Sequence, residues 1–249
     1  MKTKTKRILA LAAALLLIGF LLIFLNGTVG NPISKAMAGK AAQEYVDARY
    51  SDLQLEQKDL VYSFKFSEYL ARYQSASSED TAFAVYVDSF GHVIRDDYES
   101  EVLSLMTTYR RLDKEMRDLG RELFRAEFAE LNIDIAHLSG NLSDPRPFTE
   151  YLTLDMPMDP HHPPFDVQAV LWVLDEDVSY ERMAELLLRM RDVCAEAEIP
   201  VTTYDVRIDW GEDDARNNLW LYDIPADALN AEDLPAALRL QEKIQNGTI

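Results

Sequence analysis

The hydrophobic positions of the chain divide it into an apolar N-terminal run and a longer part with regular mixtures of hydrophobic and polar residues. Residues 8–25 contain no polar side chain. A helix of about eighteen residues spans about 27 Å, close to the roughly 30 Å hydrocarbon core of a bilayer. The run therefore predicts a transmembrane anchor. A cleaved signal peptide is the alternative, but the run is longer than the usual apolar core of such peptides and no Ala-x-Ala site follows it closely.

Basic residues set the predicted orientation of this anchor. Those before it are Lys2, Lys4, Lys6 and Arg7, and those shortly after it are Lys35 and Lys40. The positive-inside rule therefore places residues 1–7 in the cytoplasm as a short stub and the rest of the chain outside the cell membrane. No second apolar run is comparably long, so we expect a single-pass membrane protein.

The pattern after the anchor predicts an N-terminal α+β module over residues 31–97, a helix followed by an antiparallel sheet. Asn31 and Pro32 suit the cap and the first turn of a helix. Its predicted apolar stripe comprises Ile33, Met37, Ala41, Tyr45 and Ala48. Alternating residues then predict strands at 60–67, 69–74, 83–87 and 93–97. A tight turn at residues 88–91 joins the last two strands, and its glycine is free to take a positive φ.

A long helix is predicted over residues 98–131, where no proline occurs. Its hydrophobic residues repeat at alternating spacings of three and four: Val102, Leu105, Tyr109, Leu112, Met116, Leu119, Leu123 and Ala126. This heptad pattern is compatible with a coiled-coil dimer. Like-charged flanking glutamates, Gly120 and a stripe widened by Phe124 and Phe128 favour a helix packed on its own sheet or connecting two modules.

The remaining residues, 132–249, predict a second α+β module. Strands are expected at 133–137, 148–154, 167–174, 204–210 and 219–224, and helices at 179–197 and 231–245. Because residues 167–174 are almost entirely apolar, we expect this strand at the centre of its sheet. The predicted fold class is therefore α+β: an N-terminal transmembrane helix, a helix with an antiparallel sheet, a long connecting helix and a second α+β module.

Charge and cysteine content narrow the functions open to this chain. It has 25 basic and 43 acidic residues, and removal of the four basic residues before the anchor leaves the exported part with 21 against 43. Such an acidic surface repels the phosphates of nucleic acids, so nucleic-acid binding is excluded. The single cysteine, Cys194, rules out an intramolecular disulfide.

Clusters of metal-ligating residue types have simpler explanations. His161 and His162 follow Asp159 and could suggest zinc, but adjacent residues in an extended segment point to opposite sides. We therefore interpret them as part of a solvated loop. The acidic residues 212–214 lack the residue order of a calcium loop and suit a charged hairpin turn.

Catalytic residues are not indicated either. Cys194 lies on the apolar stripe of a predicted helix, as inert structural thiols do. Asp96 and Asp97 are consecutive strand residues and should face opposite ways. No nucleophile elbow, zinc-binding helix, phosphate loop or dinucleotide fingerprint occurs. We predict no catalytic residue, no metal ligand and no cofactor, and we do not expect an enzyme.

The favoured hypothesis is a non-catalytic interaction module at the outer face of the membrane. Its aromatic-rich N-terminal sheet would offer an edge or groove to a protein or peptide of the cell envelope. The predicted surface comprises Tyr62, Phe64, Phe66, Tyr69, Tyr73, Phe83 and Tyr86, of which about half are needed for the core. Two alternatives stay open: an envelope sensor or carrier that binds a cation or cationic small molecule, and an unrecognised hydrolase.

Four short motifs punctuate the chain: Gly30-Asn31-Pro32-Ile33, Glu44-Tyr45-Val46, Ile94-Arg95-Asp96-Asp97-Tyr98 and Thr107-Thr108-Tyr109-Arg110-Arg111-Leu112. Together with the basic stub and the single span, they resemble the YfjL-like family of membrane-anchored bacterial proteins. The resemblance implies N- and C-terminal α+β domains and no assigned activity. The first module also resembles PepSY and cystatin-type folds, whose members bind peptides or inhibit peptidases.

Overall fold

The computed structural model of the protein describes residues 11–19, 30–141, 146–211 and 217–247. The chain divides into two compact units, Met1–Thr107 and Thr108–Ile249. The helix-and-sheet part of the first, residues 30–107, is termed unit 1 below, and the second is termed unit 2. Each unit contains one four-stranded sheet together with helices, so the predicted α+β character is confirmed.

The predicted anchor lies partly outside the described residues. Its middle part, residues 11–19, is helical, and the large side chains there are exposed. Residues 8–10 and 20–25 lie outside the described part, as does the predicted stub at 1–7. Among the helices that the structure describes, none is long and apolar enough to cross a membrane.

Unit 1 is a four-stranded antiparallel sheet with one helix packed on it. The helix, α1 (Pro32–Arg49), begins as predicted, since the Asn31 side chain accepts a 2.7 Å hydrogen bond from the Ser34 N–H. A short 3-10 turn, Ser51–Leu53, follows the helix. The strands, in both chain and spatial order, are β1 (Leu55–Ser63), β2 (Glu68–Ser75), β3 (Ser78–Asp88) and β4 (Val93–Asp96). The predicted turn between β3 and β4 is confirmed, with Gly91 at φ 85°.

The first predicted strand, residues 60–67, is wrong in both bounds. β1 instead runs from Leu55 to Ser63, and residues 64–67 form the turn to β2. The alternation of hydrophobic and polar residues continues unbroken through this turn, which is why the pattern extends too far. The point at which a chain reverses depends on backbone conformation, here on the positive φ of 55° at Ser67.

The core of unit 1 lies between α1 and the sheet. The helix contributes small side chains, Ala38, Ala42 and Val46, which allow it to approach the strands closely. The sheet contributes Tyr69, Ala71, Tyr73, Phe83, Val85 and Val87. All of these residues are at most 4% exposed, so the aromatic side chains of β2 and β3 fill the space that the small helix residues leave.

The predicted long helix over residues 98–131 is interrupted near its start. Glu99–Leu103 forms a π-helical turn, Leu105 has a positive φ of 61°, and the regular helix α2 covers Met106–Glu127. A left-handed residue breaks the hydrogen-bond ladder of a helix, and the spacing of side chains does not reveal such a break. The buried stripe of α2 includes Tyr109, Leu112, Met116, Gly120 and Phe124.

Unit 2 contains a mixed sheet. Its strands, in spatial order, are β5 (Asn132–Gly140), β6 (Val167–Leu174), β7 (Val201–Trp210) and β8 (Asn217–Pro225). β6 and β7 are parallel and are connected through helix α3 (Tyr180–Glu196), whereas the other pairs are antiparallel. A 3-10 turn, Ala226–Asn230, and helix α4 (Leu234–Gln245) complete the described fold. The central position predicted for the strand at 167–174 is confirmed.

The strand predicted at residues 148–154 is wrong. Phe148–Glu150 forms a single 3-10 turn. The Phe148 ring stacks on the ring of Tyr109 in α2, with centroids 4.6 Å apart and planes inclined by 9°. The hydrophobic side chain is therefore held by packing on a helix, and the stretch needs no pairing in a sheet.

Helix α2 lies directly against the backbone of the edge strand β5. A Cβ atom on Gly120 would lie 2.2 Å from the backbone nitrogen of Leu138, so only glycine fits there. Tyr109 donates a hydrogen bond from its hydroxyl to the Gly140 carbonyl (3.1 Å), and the Asp113 carboxylate accepts one from the Gly140 N–H (2.8 Å). The helix thus covers this part of the β5 edge, which protects it from pairing with another strand.

Candidate functional site

The seven aromatic residues predicted to form an interaction surface do not share one surface. Three are buried (Tyr69, Tyr73 and Phe83), two are half-buried (Tyr62 and Tyr86), and two are exposed (Phe64 and Phe66). The exposed fraction ranges from 0% at Tyr73 to 70% at Phe64. Only the exposed pair, with the rims of the half-buried pair, is accessible to another molecule.

The buried members of this set support the sheet of unit 1. The ring centroids of Tyr73 and Phe83 lie 6.2 Å apart, and Phe83 also packs edge-on against Tyr50, 5.2 Å away. Burial raises the pKa of the Tyr73 hydroxyl to about 12, so it stays protonated. These residues belong to the core, so the prediction that they form an interaction surface is wrong for them.

Tyr86 lies on the sheet face opposite α1, because its neighbours along β3 point into the core. The guanidinium carbon of Arg95 is 3.7 Å from the centroid of the Tyr86 ring. The Tyr86 hydroxyl donates a hydrogen bond to Asp97 at 3.0 Å. Arg95 also pairs with Glu68 at 3.3 Å, and the Glu68 side chain is only 7% exposed. Burial raises the pKa of Tyr86. Tyr86 is therefore fixed within a polar network of the sheet.

Exposed hydrophobic residues instead gather at one end of unit 1. The turns β1–β2 and β3–β4 lie at that end, because Glu68 pairs with both Ser63 and Asp88. The first turns of α1 lie there as well, since Gly91 of the β3–β4 turn adjoins the Met37 backbone. We define the apolar end by five residues: Ile33, Met37, Phe64, Phe66 and Phe90, which are 74%, 45%, 70%, 65% and 74% exposed.

Three of these five residues were not part of the predicted surface. Phe90 lies in the predicted β3–β4 turn, where its side chain has no core to enter. The predicted stripe of α1 contains Ile33 and Met37, but the buried stripe is shifted by one residue, to Ala38 and Ala42. The two larger side chains therefore face solvent. Two features of the sequence could have indicated these exposed residues. One is a phenylalanine in a turn, and the other is a group of alanines in α1 that permits close packing of the helix on the sheet.

The chain enters unit 1 at the apolar end. The Tyr69 hydroxyl accepts a hydrogen bond from the Asn31 N–H (3.2 Å) and donates to the Asn31 carbonyl (3.3 Å). Gly30 has a φ of 73°, and a Cβ there would lie 2.7 Å from the Tyr69 hydroxyl and 3.0 Å from the Tyr62 ring. Glycine is therefore required by both conformation and space, and residues 30 and 31 are fixed beside the β1–β2 turn.

The charges around the apolar end differ from those of the protein as a whole. Lys35 and Lys65 are exposed, and the Lys65 ammonium lies 5.2 Å from the Phe66 ring centroid. The two nearby carboxylates are both engaged, that of Glu68 with an arginine and that of Asp88 with N–H groups of its own turn at 2.8 Å. Lys35, Lys65 and Arg95 thus stand against two carboxylates, so the net formal charge of these groups is positive.

Unit 2 displays a different aromatic surface, on the sheet face opposite its buried strand residues. Ile135, Trp172, Arg207 and Trp220 are direct neighbours across the four strands, and we term them the aromatic row. The Arg207 guanidinium lies 5.2 Å from the Trp172 ring centroid and 5.8 Å from that of Trp220. It also donates to the buried Asp209 at 2.9 Å. One arginine thus contacts both indoles of the row.

A cavity of about 210 Å³ lies between α2 and β5. Arg121 and Arg125 line it from the helix, and His137 lines it from the strand. Arg117 lies 2.9 Å from His137 Nε2. Burial, and next the positive charge of Arg117, lower the pKa of His137 to about 4, so its ring is neutral near pH 7 and accepts this hydrogen bond. The remaining lining residues are Ile133, Asp134, Ile135 and Ala136, so the charged groups around the cavity are two arginines and one aspartate.

The residue types that bind metals do not form a cluster in the described part of the chain, where no group of three or more is placed to hold an ion. His162 lies 3.1 Å from the Asp159 carboxylate, whereas His161 lies 3.3 Å from the Glu198 carbonyl. The two imidazole rings therefore have separate partners, although the His161 backbone N–H also donates to Asp159 at 3.0 Å. The acidic residues 212–214 lie outside the described residues.

Cys194 is buried in unit 2, and Asp96 and Asp97 are hydrogen-bonded to tyrosines of unit 1. Cys194 is 1% exposed, and burial raises the pKa of its thiol to about 12, which keeps it from acting as a nucleophile. Asp96 accepts a hydrogen bond from the Tyr45 hydroxyl, whereas Asp97 accepts one from Tyr86. The two carboxylates thus have different partners, as predicted for consecutive strand residues.

Comparison with known proteins gives two matches to family models. The model of the YfjL-like N-terminal domain matches residues 5–98, and that of the YfjL-like C-terminal domain matches residues 120–239. Neither the curated proteins nor the solved structures yielded a match. Because the two models together cover most of the chain, this protein belongs to the YfjL-like family.

Proposed function

We propose that this protein is a single-pass membrane protein of the cell envelope that acts by contact and not by catalysis. Residues 8–25 form its anchor, residues 1–7 lie in the cytoplasm, and both units lie outside. The length of the apolar run and the basic residues before it support this arrangement. In this arrangement unit 1 is the part that follows the anchor directly.

The apolar end carries the proposal of a contact function. Its five hydrophobic residues come from three separate segments, and each is at least 45% exposed. Single exposed hydrophobic residues are common on proteins, whereas several at one end form a patch of the kind that contacts another molecule. The core cluster of unit 1 is meanwhile formed by other residues, and none of these five belongs to it. The partner is a component of the cell envelope with apolar surface.

Photo-crosslinking in intact cells tests the contact. A photoreactive amino acid replaces Phe66 in the full chain, and the matched control replaces Ser77 in the exposed β2–β3 turn at the other end of the sheet. We expect a covalent adduct, detected by mass spectrometry, at position 66 and not at position 77. If positions 64, 66 and 90 all give no more adduct than position 77, the contact function is wrong.

Amine labelling tests the topology separately. A membrane-impermeant amine reagent is added to intact cells, and modified lysines are identified after purification. Lys58 and Lys114 are exposed in units 1 and 2 and should react. Modification of these lysines only after cell lysis would overturn the exported arrangement.

A further inference from the structure

We infer that the apolar end rests on the outer surface of the membrane, with Phe64, Phe66 and Phe90 inserted at the level of the lipid headgroups. The inference rests on the proposed function, because it needs the anchor, and it names the partner of the same surface. That partner is the interfacial layer of a bilayer that contains anionic lipid.

The length of chain between the anchor and unit 1 is the first argument. The apolar run ends at Leu25, and Gly30 is fixed to β1 and β2 at the apolar end. Five residues reach at most about 18 Å when fully extended, and the headgroup layer is itself about 5–8 Å thick on each side of the bilayer. The apolar end is therefore held close to the membrane. The opposite end of β2 lies about 25 Å further along the strand.

The composition of the apolar end is the second argument. Proteins that lie on a membrane surface place aromatic and aliphatic side chains at the boundary of the acyl chains and lysines at the headgroups. Phe64, Lys65 and Phe66 reproduce this arrangement within one turn, with the lysine ammonium 5.2 Å from the second ring. Phe90 extends the surface from the neighbouring turn of the sheet.

Charge complementarity is the third argument. The chain carries a formal charge of −18, and an anionic membrane repels an acidic surface of this kind. At the apolar end, Lys35 and Lys65 are exposed, Arg95 balances the charge of Glu68, and Asp88 keeps its negative charge, so these five side chains together are net positive. This end can therefore approach anionic lipid without the repulsion that an acidic face would meet.

Site-specific fluorescence tests the inference on the full chain in vesicles of equal parts phosphatidylcholine and phosphatidylglycerol. A small fluorophore is attached to the variants Phe66→Cys and Phe90→Cys, and to Ser77→Cys as the matched control. The native Cys194 is buried and does not compete for the label. Spin-labelled lipid should quench the probes at 66 and 90 at least about fivefold more strongly than the probe at 77.

A second variant shows whether the phenylalanines cause the contact. With Phe64→Ser and Phe66→Ser combined, quenching at position 90 should fall by about threefold or more, because most of the inserted apolar area is lost. The unfolding midpoint should stay the same, because both residues are exposed in unit 1. Unchanged quenching at position 90 would contradict the inference.

The outcomes separate this inference from the contact function. Stronger quenching at 66 and 90, together with lipid adducts of the photo-crosslinker, supports the inference. Equal quenching at all three positions overturns it. If the crosslinker at Phe66 then captures a protein, the contact function stands with a protein as the partner; if it captures nothing, both proposals fall.

Discussion

The apolar end of unit 1 and the aromatic row of unit 2 both display aromatic side chains, but the fold holds them differently. In the row, Arg207 contacts Trp172 and Trp220, and Trp220 is 43% exposed. At the apolar end, Phe64 and Phe90 project from turns and are 70% and 74% exposed. A sheet face gives each ring neighbours on adjacent strands, whereas a turn at the end of a sheet leaves its ring in solvent.

This difference separates a contribution to stability from the contact function proposed for the apolar end. Rings in the row share contacts across the strands, so a change there should lower the free energy of unfolding. Rings at the apolar end add little to folding, so a change there should alter what the protein touches and leave its stability intact. Variants in the two units can test this separation.

The largest effect is expected from Gly120→Val, which breaks unit 2 alone. The new side chain would collide with the Leu138 backbone, and a backbone contact cannot relax as a flexible side chain does. We expect a loss of at least about 4 kcal/mol in the free energy of unfolding of unit 2. Urea unfolding and the labelling of Cys194 by a thiol reagent measure it, since this cysteine is buried in the native unit.

The matched control for this variant is Gly39→Ala in unit 1. Its Cβ would meet only the end of the Leu60 side chain, at 3.2 Å, so we expect a change of less than about 1 kcal/mol. A Gly120→Val protein whose Cys194 stays protected, and which unfolds like the parent, would show that α2 is not packed on β5 as described.

The second-largest effect is a difference in stability between two variants of unit 1, one at a buried phenylalanine and one at an exposed phenylalanine. Phe83→Ala leaves a cavity at a residue that is 4% exposed and should cost about 3–4 kcal/mol of stability. Phe66→Ala removes a ring that is 65% exposed and should change stability by less than about 0.5 kcal/mol. Urea unfolding followed by circular dichroism measures both. Similar losses for the two variants would mean that Phe66 has a structural function.

The third effect concerns pH and is confined to unit 2. The pKa of His137 is about 4 in the folded protein, below the ordinary 6.5, so the unfolded chain binds more protons between these values. The contribution of His137 to stability is therefore complete above pH 6.5 and is lost as the pH falls towards 4. The groups nearest the ring are Arg117, Asp113 and Arg121.

His137→Gln is the control that isolates this contribution from the carboxylates, which also titrate at acidic pH. Urea midpoints at pH 7.5, 5.5 and 4.5 should fall more steeply in the parent than in His137→Gln. Parallel curves for the two proteins would refute the assignment. A titration of the His137 ring by NMR gives an independent value.

The smallest effect is expected in the aromatic row. Arg207→Lys keeps the positive charge beside Asp209 but loses the planar group that contacts both indoles. We expect a cost of about 0.5–1 kcal/mol and a change in tryptophan fluorescence. Arg125→Lys, at an exposed position of α2, should alter neither. An unchanged fluorescence spectrum in Arg207→Lys would show that the arginine does not hold the rings.

Local signals in the sequence predict a large part of this fold. Asn31 and Ser179 cap their helices as their residue types indicate, the latter through a 3.1 Å bond from the Arg182 N–H. The apolar run at 167–174 indicates the central strand, and the turn at 88–91 follows from its composition. Each of these features depends on a few neighbouring residues, so a single sequence is enough to find it.

The candidate surfaces depend on relations that a local pattern does not contain. The aromatic row needs the register between strands that bring Trp172, Arg207 and Trp220 together across 48 positions of the chain. The apolar end depends on which stripe of α1 is buried, and close packing selects Ala38 over the larger Met37. Hydrophobic and polar residues also alternate through residues 64–67, so the sequence pattern resembles a strand there and does not reveal the turn that exposes Phe64 and Phe66.

The hydrogen bonds between Tyr69 and Asn31 have a mechanical consequence. With the proposed anchor at residues 8–25, a pulling force on that anchor would reach Asn31 before the first turn of α1. Asn31 is hydrogen-bonded to β2, an interior strand with a neighbour on each side, so the sheet would share the force. Unit 1 should therefore resist pulling as a whole sheet, and the helix should not unravel from its end.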